Sequence, residues 1–140
     1  MNQGTILAII VVVAYLAFEV FAISKVSYRT EPLYIFGRFV AVDRAMALCG
    51  APDSQMRSRF SRNRASVRQR AERELVEGNP GEPREIIDRL LAERIQQHES
   101  EVDALVEELG CDDIEIFKLK RGYENRARLN LPTPVDGEDR

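Results

Sequence analysis

With 140 residues, of which 44% are hydrophobic and 31% charged, the chain has room for one modest domain beside a membrane segment and cannot enclose a large active site. The formal net charge of -3 conceals an asymmetry. An Arg-rich stretch from Arg57 to Arg73 precedes an acidic one from Glu82 to Glu115, so overall charge says little about partners.

From Ile6 to Ile23 every residue except Glu19 is apolar, Ala or Tyr. At about 1.5 Å rise per residue, such a helix is roughly long enough for a bilayer core of about 30 Å. Residues 1–27 therefore read as a single transmembrane anchor. A cleavable signal peptide is the rival, because Ala22-Ile23-Ser24 loosely fits a small-x-small cleavage site. Against it, the opening Met-Asn-Gln-Gly-Thr has no Lys or Arg, and the apolar run exceeds a typical signal core. Glu19 costs a few kcal/mol if charged and lipid-facing, which points to a protonated group or a polar neighbour on another helix. Its place near one end of the run also allows it to snorkel toward the headgroups.

Thr30-Glu31-Pro32 reads as a helix start, and residues 28–50 form a juxtamembrane helix over about Leu33 to Leu48. Leu33, Tyr34, Ile35, Phe36, Phe39, Val40, Val42 and Met46 spread around most of its circumference, so both sides need covering. Two coverings are open. Tyr34, Phe36 and Phe39 contact lipid or a partner protein at the membrane interface, or the helix is the buried centre of a three-helix domain.

Residues 51–112 read as an antiparallel helical hairpin. Asp53-Ser54 caps a second helix to about Glu77, Gly78-Asn79-Pro80-Gly81-Glu82-Pro83 turns the chain, and a third helix from about Arg84 to Leu109 is closed by Gly110. Apolar stripes at three- and four-residue spacing run along both: Met56, Phe60, Val67 and Ala71 on one, Ile87, Leu91, Ile95, Val102, Leu105 and Leu109 on the other. Residues 113–140 read as a largely irregular extension. Ile114 to Leu119 is a strand or one more helical turn, and no fixed structure is expected beyond Gly122.

A hairpin turning near residues 80 and 81 brings mirror positions together. Cys49 and Cys111, the only two cysteines, are such a pair, so a disulfide is expected; closing that loop stabilises by about 4 kcal/mol on the chain-entropy model. Asn63 and His98 are another mirror pair, each the polar residue in its stripe, and Arg59 with Glu101 lies on matching flanks. These four are read as setting the register. Pairing of the arginines with the acidic helix weakens a nucleic-acid reading. It leaves Arg62 and Arg73, on the back of the second helix, as the arginines available to an acidic partner or lipid headgroup.

Lys25, Arg29 and Arg38 after the anchor favour a cytoplasmic domain, whereas a disulfide demands an oxidising compartment. The cysteines carry more weight, because the charge bias is small and folded domains translocate largely regardless of charge. Catalysis is not expected. The single histidine lies on a core stripe, neither cysteine belongs to a C-x-x-C motif, and no Gly-rich phosphate loop or nucleophile elbow occurs. No cofactor or metal is implied.

The sequence therefore describes an all-α, single-pass inner-membrane protein with a disulfide-closed domain on the periplasmic side. It would serve as an accessory or assembly subunit, docking on a larger membrane complex through Glu19, Tyr34, Phe36 and Phe39. The alternatives are a membrane-tethered basic module for nucleic acid or anionic lipid, and a secreted periplasmic binding protein with a cleaved signal.

Overall fold

The computed structural model describes residues 32–135. The apolar run of residues 6–23, with Glu19, lies outside the described residues. Four α-helices and no strand occur among the described residues: α1 (Pro32–Cys49), α2 (Ser54–Gly78), α3 (Arg84–Leu109) and α4 (Ile114–Ala127). None of them is long and apolar enough to cross a membrane.

Helix α1 carries its apolar residues on nearly every side, and it is satisfied by packing against all three other helices. Phe36, Phe39, Val40, Val42, Ala45 and Met46 are buried. Of the two coverings open to this helix, the domain itself supplies the one that encloses Phe36 and Phe39. Both rings are core, 0% and 2% exposed, so they are not a surface for lipid or a partner as expected; of the three aromatics only Tyr34 is exposed, at 40%.

The long helices begin and end where local chemistry directs. Asp53 caps α2 by accepting from the Met56 amide at 2.8 Å, which satisfies one of the free amides of its first turn. Gly110, at φ 79, ends α3 and donates its amide to the Val106 carbonyl at 2.8 Å. The buried face of α2 is Phe60, Asn63, Val67 and Ala71, and that of α3 is Ile87, Leu91 and Val102.

What these faces pack against differs from a hairpin zipped along its length. Helices α2 and α3 make few direct contacts, among them the Glu72–Arg84 ion pair beside the turn, because α1 lies against both. Helices α1 and α3 run parallel. Arg44 meets Asp103 at a separation of 59 residues, and Cys49 meets Cys111 at 62, so the offset is nearly constant.

Helix α4 replaces the expected irregular extension. Asp113 caps it by accepting from the Glu115 amide at 2.8 Å, and Ile116, Tyr123 and Ala127 are buried. Gly122 lies inside the helix rather than ending it, at a cost of about 1 kcal/mol in propensity. That position is tight. A Cβ there would come within 3.0 Å of Val42 Cγ1 and 3.1 Å of Arg126 Nη1, so glycine lets α4 approach α1. The Phe60 ring stacks on Tyr123 at 3.8 Å between centroids and tilts against Phe39 at 5.5 Å, joining α1, α2 and α4 in one aromatic cluster.

Candidate functional site

Cys49 ends α1 and Cys111 lies just beyond α3. Since α1 and α3 are parallel, both C-terminal ends reach the same end of the domain, and the two cysteines stand at disulfide distance, 5.3 Å between Cα atoms. A cleft of about 590 Å³ opens beside them between the α1–α2 loop and α4, lined by Met46, Cys49, Pro52, Asp53, Phe117 and Lys120 among others. Lys120 Nζ donates to the Cys49 carbonyl at 3.4 Å. The same end of the domain carries exposed apolar side chains: Leu48, Leu109, Ile114 at 61% and Phe117 at 49%. Among the described residues no group of three His, Cys, Asp or Glu is placed to hold a metal ion.

The mirror relation that pairs the cysteines sets the level of a residue along the domain but not the helix it faces. Asn63 and His98 do not meet. Asn63, fully buried, turns to α4, where its Nδ2 donates to the carbonyls of Arg126 and Leu129, both at 2.8 Å. These carbonyls lie at the C-terminal end of α4, where main-chain acceptors lack intrahelical partners, so Asn63 ties that end down. His98 turns to α1. Its imidazole lies against Gly37, where a Cβ would overlap Nε2, and its Nδ1 is 3.4 Å from Glu101 Oε2. Arg59 and Glu101 are likewise apart: Glu101 is engaged with His98 and Gln97, while Arg59 borders a shallow depression with Glu124 and Arg128.

The register is instead held by groups on α1 that sequence reading passed over. Arg44 binds Asp103 through two bonds, Nε–Oδ1 at 2.6 Å and Nη2–Oδ2 at 3.1 Å, fixing α1 on α3. The bond from Arg44 holds the Asp103 carboxyl below the usual range, and the same contact raises Arg44. On the opposite side Asp43 accepts from Arg64 and fixes α1 on α2. Burial nevertheless pushes Asp43 upward, outweighing the attraction of Arg64. Burial also raises Tyr123, with the Asp43 charge adding to it. Arg126 lies 5.5 Å above the Phe39 ring and donates to the Gly122 carbonyl at 3.0 Å; burial, then the charge of Arg38, lowers its pKa. A charged pair directly consecutive on α1, Asp43-Arg44, was the available signal: on a helix with neighbours on several sides, adjacent partly buried charges are satisfied by pairing outward to different neighbours.

The consequence for charge is direct. Among the described residues the arginines of α2 form one carboxylate ion pair, Arg64–Asp43. Arg62 and Arg73 are exposed as expected, and so are Arg57, Arg59, Arg68 and Arg70. The acidic helix does not engage them.

Comparison with known protein families, with curated proteins and with solved structures returned no match.

Proposed function

We propose that this chain is a non-catalytic, single-pass accessory or assembly subunit of a larger membrane protein complex, anchored by residues 6–23 and carrying its helical domain on the extracytoplasmic side of the inner membrane. One observation carries the reading: an 18-residue-scale apolar run precedes a folded domain whose only two cysteines stand at disulfide distance. With Phe36 and Phe39 committed to the core, the contact rests on Glu19, on exposed Tyr34, and on Ile114 and Phe117 beside the cysteines.

Purification of the full chain in mild detergent, with identification of co-purifying membrane proteins, tests this. Glu19→Leu combined with Phe117→Asp reduces co-purification while helix content stays unchanged. Undiminished association, or recovery of the domain in the soluble fraction beginning near Lys25, contradicts it.

A second reading is favoured by one observation, the exposed arginines of α2 that the acidic helix leaves unpaired. In it the domain faces the cytoplasm and binds nucleic acid. Sub-micromolar DNA or RNA binding with a steep salt dependence, lost in Arg62→Ala with Arg73→Ala, would establish it in place of the first.

A further inference from the structure

Between Arg57 and Arg70 the sequence of α2 contains six arginines and no carboxylate. Four arginines of the helix, Arg59, Arg62, Arg70 and Arg73, fall with Ser66 at spacings of three and four. They lie within about a quarter of the helix circumference and extend over about 21 Å. All four are exposed, and among the described residues none is within ion-pair distance of a carboxylate. Carboxylates approach the stripe at its ends: Asp53 and Glu124 border the depression that includes Arg59, and Glu72 and Glu77 the one that includes Arg73. In its middle, at Arg62 and Arg70, the described residues bring no carboxylate within ion-pair distance.

A rigid helix with a straight row of guanidinium groups matches a flat field of phosphates better than a single small anion, which needs donors converging on one point. Chain length decides which field. Only residues 24–31 separate the apolar run from Pro32, and eight residues at full extension span at most about 29 Å. With the run in a bilayer, the headgroups are held at high effective concentration beside the domain, whereas a nucleic acid would have to be captured from solution.

We infer that the Arg59–Arg62–Arg70–Arg73 stripe of α2 is a docking surface for anionic phospholipid headgroups, which lays the domain against the membrane that anchors it. The inference rests on the anchorage proposed above. Each arginine near an anionic surface favours association about fivefold, and added salt weakens this.

The test uses the full chain reconstituted in vesicles of phosphatidylcholine, with and without phosphatidylglycerol. The sequence has no tryptophan, so Ser66→Trp places a unique fluorophore in the middle of the stripe. Brominated lipid quenches it strongly in the anionic vesicles and weakly in the neutral ones. High salt, or Arg62→Gln with Arg70→Gln, returns quenching to the neutral level. Ala104→Trp, exposed on α3, shows no lipid-dependent difference. The unsubstituted chain gives an independent reading: peptide masses show Arg62 and Arg70 protected from phenylglyoxal in anionic vesicles only.

Equal quenching and equal protection in the two bilayers overturn the inference. So does protection that appears only when duplex DNA is added to the neutral vesicles, which assigns the stripe to nucleic acid. Flotation with the neutral vesicles separates the two levels. A chain that fails to float refutes the anchorage and the inference with it; one that floats without anionic-lipid dependence refutes the inference alone.

Discussion

Helix α1 and the long pair α2 and α3 hold the domain together in opposite ways. Helix α1 buries eight of its 18 residues, with α2, α3 and α4 packed around it. The long helices each offer a narrow buried stripe and a wide charged exterior, and they meet sparsely. Stability is therefore concentrated in the central helix, while α2 and α3 supply the widest charged surface and the exposed apolar side chains Ile114 and Phe117 belong to α4. Truncation of a buried α1 side chain should destabilise the domain strongly, and a substitution on the outer faces of the long pair should change mainly what the domain contacts.

The largest effect is expected at Phe39, enclosed by Phe60 and by the Arg126 guanidinium. Phe39→Ala should destabilise by about 3–5 kcal/mol in denaturant unfolding, and Tyr34→Ala by no more than about 0.5. Similar losses at the two positions would mean that α1 is not central.

Next is the contact of α1 with α3 at Gly37. In an unobstructed helix, Gly→Ala stabilises by up to about 1 kcal/mol; here the added methyl meets His98, so Gly37→Ala should instead cost about 1–3 kcal/mol. His98→Ala in the same chain should recover most of that cost. Absence of recovery would displace His98 from this contact.

Acid sharpens the same interface. The folded-state pKa of Asp103 is lowered by Arg44, so its contribution is present above the ordinary carboxylate value of about 4 and is lost as pH falls through the lowered value. Asp103→Asn should flatten the acid side of the stability profile by a small, measurable amount and leave the neutral side nearly level. A steeper acid loss in the variant would contradict the assignment.

The smallest effect tests the separation of the long pair. Arg59→Glu and Glu101→Arg should combine additively, within about 0.5 kcal/mol, because these residues do not face each other. A clear recovery in the double variant would restore the zipped hairpin.

Much of the domain was legible in the sequence. Asp53, the Gly78–Pro83 turn and Gly110 mark the ends of the long helices because caps and left-handed glycines act locally. The stripes at three- and four-residue spacing marked the buried faces in part: Phe60, Val67, Ala71, Ile87, Leu91 and Val102 are buried, Met56, Ile95 and Leu105 half-buried, and Leu109 exposed. Periodicity reports that a face will be covered, not by which neighbour, and Asn63 and His98 lie at one level yet turn to α4 and α1. Helix α4 was missed because Gly122 and the later prolines read as breakers, although Ile116, Leu119, Tyr123 and Ala127 recur at helical spacing. The cysteine pair emerged correctly from a mirror relation that applies to levels, since the start of α2 and the end of α3 share one end of the domain.

The oxidation state of Cys49 and Cys111 tests the account most directly, since the packing brings them together and the proposed compartment requires them bonded. Protein extracted from membranes without reductant, alkylated and weighed intact, should show no modified thiol, and should take up two alkyl groups only after reduction. Two thiols alkylated without reduction would contradict the extracytoplasmic assignment and the subunit role built on it.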